Sequence, residues 1–144
     1  VKDEAMEIYK EICDAISKNA LCRFSHTYRT NKEQDELFKK VPKVTNSRGG
    51  QSYHNYGLAI DIVFLIDKDG NGTYETASWN TKLDADKDGM SDWIEVVKIF
   101  KAYGWEWGGD WKFTDAPHFQ KTFGLSIKEL QKRTSNFGGV HFVI

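Results

Sequence analysis

Two histidines and two aspartates stand at spacings that can do chemistry. Ser52-Tyr53-His54-Asn55-Tyr56-Gly57-Leu58-Ala59-Ile60-Asp61 puts an imidazole in a turn and a carboxylate on the strand that follows. Trp111-Lys112-Phe113-Thr114-Asp115-Ala116-Pro117-His118 adds a second imidazole at the start of another strand, with a carboxylate three residues before it. A catalytic zinc site needs three protein ligands of nitrogen or oxygen type and one open position for water. His54, Asp61 and His118 are the candidate ligands, and Asp115 is the candidate to reach that water. Singly, each has a plain structural reading: a lone histidine is more often structural than a ligand, and an Asp in a strand can be a satisfied acceptor. Together they shift that balance.

A second constellation is acidic. Asp84-Ala85-Asp86-Lys87-Asp88-Gly89, running on to Asp92 and Glu95, meets the calcium-loop pattern D-x-D-x-D-G-x5-E. The ligands would be Asp84, Asp86, Asp88, the Met90 carbonyl, Asp92 and Glu95. Ser91 departs from the apolar residue usual at its place, and no strong helical pattern leads into Asp84. A solvated loop whose Asp and Gly residues simply make turns is the alternative. Asp67-Lys68-Asp69-Gly70-Asn71-Gly72 begins the same way but has Ser78 at the twelfth position, and reads as a turn between strands.

The first constellation resembles the zinc peptidases of the D-alanyl-D-alanine carboxypeptidase and L-alanyl-D-glutamate endopeptidase group. That group includes phage endolysins and shares a fold core with hedgehog signalling domains. Its pattern Ser-x-His-x-x-Gly-x-Ala-x-Asp is complete at Ser52, His54, Gly57, Ala59 and Asp61, and its acid three residues before the last histidine is met by Asp115 and His118. Tyr28-Arg29-Thr30 followed by Glu33-Gln34 resembles the group's substrate-binding arginine segment. Trp107-Gly108-Gly109-Asp110-Trp111 with Pro117-His118-Phe119 resembles the endopeptidase branch. The resemblance covers residues 23–130 apart from the acidic insert.

The resemblance implies that His54, Asp61 and His118 hold zinc, that Asp115 is the general base, and that Arg29 donates to a substrate carboxylate or to the developing oxyanion. Zinc lowers the pKa of its water from about 15.7 toward about 7, so a nearby carboxylate can take the proton and hand it to the leaving amine. Ser52 either binds substrate or fixes the loop. The implied reaction is cleavage of the L-Ala to D-Glu bond in peptidoglycan stem peptides. A D,D-carboxypeptidase that removes terminal D-Ala is the alternative on the same centre. A third reading, a non-catalytic wall-binding or signalling module, is opposed by the retention of Asp115. Action at the bacterial cell wall follows, by a monomer that is secreted, periplasmic or phage-released.

These residues need elements to position them. Ala5, Ile8, Ile12, Ala15 and Ile16 at helical spacing predict an amphipathic first helix. Alternation over 22–29 predicts a strand ending at Arg29, and Asn31 with Gln34 resembles a capping box opening a short helix that stops near Pro42. Gln34 is then read as a cap, and the polar stretch 44–53 as a loop leading into the site. Residues 57–66 are rich in β-formers and predict a central strand carrying Asp61. An amphipathic helix follows over 92–103, with Gly104 as its stop. Pro117 leads into a strand at 118–120, Ser126 with Glu129 opens a last helix, and 140–144 read as a final strand. His26 and His141, outside any motif, default to structural roles, with lining of the cleft near Arg29 as the alternative for His26. Trp105, Trp107 and Trp111 read as core and cleft wall. Helices and strands without regular βαβ alternation predict an α+β fold, a small antiparallel sheet flanked by helices.

Bulk properties set the remaining bounds. The 144 residues, 40% hydrophobic and 28% charged, suit a single domain over 1–144 with an acidic insert at about 67–92. The net charge of -1 excludes a uniformly basic nucleic-acid binder, although residues 67–95 alone carry eight acids and three lysines. Cys13 and Cys22, the two cysteines, can make neither a disulfide-dense scaffold nor a thiolate zinc site, while a single bridge stays open. No apolar run approaches the ~20 residues of a membrane span, and no signal-peptide pattern opens the chain.

Overall fold

The structure, a computed structural model, describes residues 1–16 and 20–136. The expected strand at 140–144, and His141 within it, lie outside the described residues. Helix α1 (Lys2–Ala15) leads to β1 (Ala20–His26) and α2 (Asn31–Phe38). After a single 3-10 turn at Tyr53–Tyr56 come β2 (Ala59–Ile66), the short β3 (Thr76–Ser78) and α3 (Asp92–Ala102). Strand β4 (Glu106–Trp107), a 3-10 turn at Gly108–Asp110, β5 (His118–Gln120) and α4 (Ile127–Asn136) complete the order. The strands form one five-stranded antiparallel sheet in the order β1-β2-β5-β4, with β3 on β2 off that path. The fold is α+β. No helix among the described residues is long and apolar enough to cross a membrane.

By packing, the described residues fall into two compact units, one from 1–16, 20–25 and 61–119, the other from 26–60 and 120–136. In the first, Ile8 and Ile12 of α1 are fully buried, as are Trp93, Val96 and Phe100 of α3, because their three- and four-residue spacing keeps each set on one helix face. Helix α1 packs on α3. Phe100 stacks on Phe119 at 4.1 Å and meets the edge of Trp105 at 5.4 Å, the offset and edge-to-face arrangements that aromatic quadrupoles favour. Burial raises the Cys22 thiol to about 12, so this free thiol is inert at neutral pH. Cys13 is free as well.

Strand β2 is buried on both faces at Ile62, Val63 and Phe64, as its near-continuous apolar run requires. The acidic segment after it first makes a hairpin: β3 pairs antiparallel with β2 in the register Phe64↔Ser78, Leu65↔Ala77, Ile66↔Thr76. Residues 67–72 are thus a turn between strands, as expected, although a three-residue strand is too short for alternation to mark its position.

In the second unit Tyr56, Leu58 and Leu130 form a small core, with Tyr53, Leu125 and Ile127 against it. Ser126 and Glu129 make the expected reciprocal cap ahead of α4, at 2.7 and 3.2 Å. Two boundaries differ from expectation. Strand β1 ends at His26, not Arg29, because the Arg29 N–H donates to the His54 carbonyl (3.0 Å) and the Arg29 carbonyl accepts from Asn55 Nδ2 (2.9 Å). Helix α2 is capped one residue earlier than expected, by Thr30, whose Oγ1 accepts from the Glu33 N–H at 3.1 Å while Glu33 takes the Thr30 N–H at 2.8 Å. The stronger Thr-x-x-Glu pair displaces Asn-x-x-Gln, and Gln34 is free to do something else.

Candidate metal centre

Asp61 and His118 come together because β2 and β5 are neighbours. The Ile62 N–H donates to the Pro117 carbonyl at 3.0 Å, locking the residue after Asp61 to the residue before His118. Asp61 Oδ1 and His118 Nδ1 then lie 3.0 Å apart. The Trp111 ring flanks His118 at 5.3 Å, and His118 itself is buried.

His54 is oriented by the turn that carries it. Ser52 Oγ accepts the His54 N–H at 3.3 Å and caps that turn. The His54 Nδ1 lies 2.7 Å from the Thr27 carbonyl. A carbonyl can only accept, so Nδ1 carries the hydrogen and Nε2 keeps its lone pair, the arrangement typical of metal-binding histidines. Asn55, fully buried, holds the surrounding loops: its Oδ1 accepts from the N–H groups of Gly50 (3.0 Å) and Ser52 (3.2 Å), while its Nδ2 donates to Arg29.

One ligand atom from each of His54, Asp61 and His118 lies within 4.8 Å of the other two. Two imidazoles and one carboxylate, buried or half-buried, are a donor set of the kind catalytic zinc takes. The Asp61 to His118 separation of 3.0 Å is near the roughly 3.3 Å that two ligands show around a tetrahedral ion with bonds of about 2.0 Å. The residues fit the metal.

Asp115 sits one tight turn before His118, whose N–H donates to the Asp115 carbonyl at 3.0 Å. Its backbone is pinned from the other side, with the Asp115 N–H donating to the Gly108 carbonyl at 2.9 Å. The approach is so close that a Cβ on Gly108 would stand 2.3 Å from the Asp115 oxygen. Trp107 Nε1 and Trp93 Nε1 both donate to the Ala116 carbonyl, at 2.8 and 3.3 Å. The Trp-Gly-Gly-Asp-Trp segment therefore acts as a brace for the Asp115 to His118 turn.

Arg29 lines a cleft of about 620 Å³ with His26, Tyr28, Lys32, Glu33 and Lys40. Its Nη1 donates at 2.8 Å to Oε1 of Gln34, which is fully buried and donates in turn to the Ser47 carbonyl at 2.7 Å. Gln34 is a holder of Arg29 and not the helix cap that the sequence suggested. His26 is exposed and lines this cleft beside Arg29, the alternative to its structural default.

Residues 45–121 match a family model described as D-alanyl-D-alanine carboxypeptidase, a span that contains His54, Asp61, Asp115 and His118. The chain is also 44% identical, over 131 residues covering 83% of this chain and 75% of the relative, to peptidoglycan L-alanyl-D-glutamate endopeptidase CwlK of Bacillus subtilis (strain 168). The chain belongs to this family of zinc peptidases. Like the rest of the family it is a metallopeptidase, and His54, Asp61 and His118 are a group that could hold the family's metal.

Proposed function

We propose that the chain is an endopeptidase that hydrolyses the L-Ala to D-Glu bond of peptidoglycan stem peptides. The observation that carries this reading is the 44% identity to an L-alanyl-D-glutamate endopeptidase, joined to a two-histidine, one-aspartate donor group. His54, Asp61 and His118 hold zinc, which when bound supplies a Lewis acid for the scissile carbonyl and for water. Asp115, held in its turn by Gly108 and the two indole N–H groups, takes the proton from the attacking water as the C–O bond forms. It returns that proton to the amine nitrogen of D-Glu as the C–N bond breaks.

Arg29 offers a planar fork suited to a carboxylate. Held by Gln34 in a cleft that also carries Lys32 and Lys40, it binds the D-Glu carboxylate or the oxyanion that develops beside it. Ser52 orders the His54 turn through its cap and contacts substrate from the same loop. The chain works as a monomer at the cell wall, reached by secretion, from the periplasm or by release from a phage-infected cell.

The alternative is D-alanyl-D-alanine carboxypeptidase activity, favoured by the description of the matching family model. Mass spectrometry of purified peptidoglycan digested by the chain separates the two. New N-terminal D-Glu is the expected product; free D-Ala without new D-Glu ends would replace the endopeptidase reading with the carboxypeptidase one.

A further inference from the structure

The acidic loop ahead of α3 gathers oxygen donors alone, a set chemically unlike the two imidazoles and one carboxylate of the first group. Asp84, Asp86, Asp88, Asp92 and Glu95 place five carboxylates within twelve residues, against the single Lys87. Ligand oxygens of Asp84, Asp86 and Asp92 lie within 4.8 Å of one another, and so do those of Asp86, Asp88 and Glu95. Asp86 belongs to both groups, so the five converge on one region.

A cluster of acids alone could be a solvated loop. The buried members argue otherwise. Asp92 is fully buried, and its Oδ1 is out of reach of solvent and has no hydrogen-bond partner among the described residues. Glu95 Oε2 is in the same condition. A carboxylate oxygen removed from water without a partner is costly, and a cation is the partner that suits it. The other Asp92 oxygen accepts the Ala85 N–H at 2.9 Å, and the Asp92 N–H donates to the Leu83 carbonyl at 2.8 Å, so Asp92 is fixed at the neck of the loop.

We propose that residues 84–95 bind one calcium ion through Asp84, Asp86, Asp88, the Met90 carbonyl, Asp92 and Glu95. An all-oxygen donor set of this charge favours a hard cation, and its number and spread of ligands suit calcium better than magnesium, which demands a compact octahedron. Zinc, with its preference for imidazole, stays with His54 and His118. The backbone is shaped for the loop: Gly89 has a φ of +93° at the sixth position, where the chain must turn sharply. Glu95, at the twelfth position of the loop, lies in the first turn of α3. Calcium therefore ties the loop to the start of a helix whose Trp93, Val96 and Phe100 are core. Its first consequence is stability, through preferential binding to the folded chain.

The test is calorimetric titration of the full chain, zinc-loaded and stripped of calcium, with calcium chloride and separately with magnesium chloride. Thermal melts are run alongside. The expected result is one calcium per chain with a dissociation constant on the order of 10⁻⁴ M or tighter, and an upward melting shift. Glu95→Gln and Asp86→Asn should each weaken calcium at least about tenfold while zinc content stays unchanged. Both replacements keep side-chain shape and remove charge. If a variant fails to fold, the titration of the unmutated chain still decides. No calcium heat and no melting shift at millimolar calcium, equal binding of magnesium, or undiminished calcium binding in folded variants would each overturn the site.

Discussion

Asp61 Oδ1 and His118 Nδ1 lie 3.0 Å apart although 57 positions separate them in the chain. The backbone bond from the Ile62 N–H to the Pro117 carbonyl produces that proximity. The position of both candidate ligands is thus set by sheet pairing and not by a flexible loop. Ligands on paired strands are held in place before any ion arrives, so little ordering is left for metal binding to do.

Asp115 is expected to matter for proton transfer and not for metal retention. Asp115→Ala should lower hydrolysis of cell-wall peptide by about 10²–10⁴-fold, the usual range for loss of a general base. Zinc content should be unchanged. Turnover that survives the substitution, or zinc lost with it, would remove Asp115 from the proposed role.

Gly108 is expected to be intolerant of any side chain. Gly108→Ala drives a Cβ to 2.3 Å from the Asp115 carbonyl, and the backbone must shift at a cost of about 1–3 kcal/mol. Because the shift falls on the turn that carries Asp115, kcat should drop further than the loss of folded protein explains. Chemical denaturation and steady-state kinetics on the same sample measure both; a variant with ordinary stability and turnover would show that the turn has slack.

Gln34 is expected to act through Arg29. Gln34→Leu keeps the bulk but takes a donor from the Ser47 carbonyl and an acceptor from the Arg29 guanidinium, destabilising the chain by about 1–3 kcal/mol. If Arg29 binds a substrate carboxylate, KM should rise more than kcat falls. An unchanged KM in the folded variant would mean that Arg29 does not depend on Gln34 for its position.

Acidic-loop electrostatics predict a pH dependence in chelated protein. Burial, followed by the charges of Asp88, Asp86, Asp92 and Asp84, pushes the Glu95 carboxyl up to about 7 from its ordinary 4.5. Asp92 is raised in the same direction, first by burial. The folded chain then keeps a proton that the unfolded chain releases. The associated stability is fully present below about pH 4.5 and is lost as the pH rises through about 7. Melting temperature with chelator present should fall between about pH 5 and pH 8, and Glu95→Gln should flatten that slope. An identical slope in the variant would place the titrating group elsewhere.

The candidate donor residues stood out in the sequence because few side chains can bind zinc and because His54, Asp61 and His118 fall in a pattern that resembles a known family; the structure brings one atom of each within 4.8 Å of the others. Helices α1 and α3 were legible for a different reason: their buried positions recur every three or four residues. What the sequence hid was mostly backbone. The Thr27 carbonyl that sets the His54 tautomer is a group every residue owns, so nothing marks it. Asn55 and Gln34 look like ordinary polar residues until loops distant in the chain bring carbonyls and N–H groups to them. The cap of α2 offered two overlapping patterns one residue apart, and only geometry chose Thr30. Strands β3 and β4, at three and two residues, are shorter than any periodicity.

Zinc held by His54, Asp61 and His118 is tested by zinc stoichiometry, measured by plasma mass spectrometry together with hydrolysis of purified cell walls. It is run on the unmutated chain before and after chelation, and on His54→Ala, Asp61→Ala and His118→Ala. One zinc per chain is expected, with activity lost on chelation and restored by zinc, and with each variant failing to retain the ion. Full hydrolysis by zinc-free protein, or stoichiometric zinc in all three variants, would contradict it.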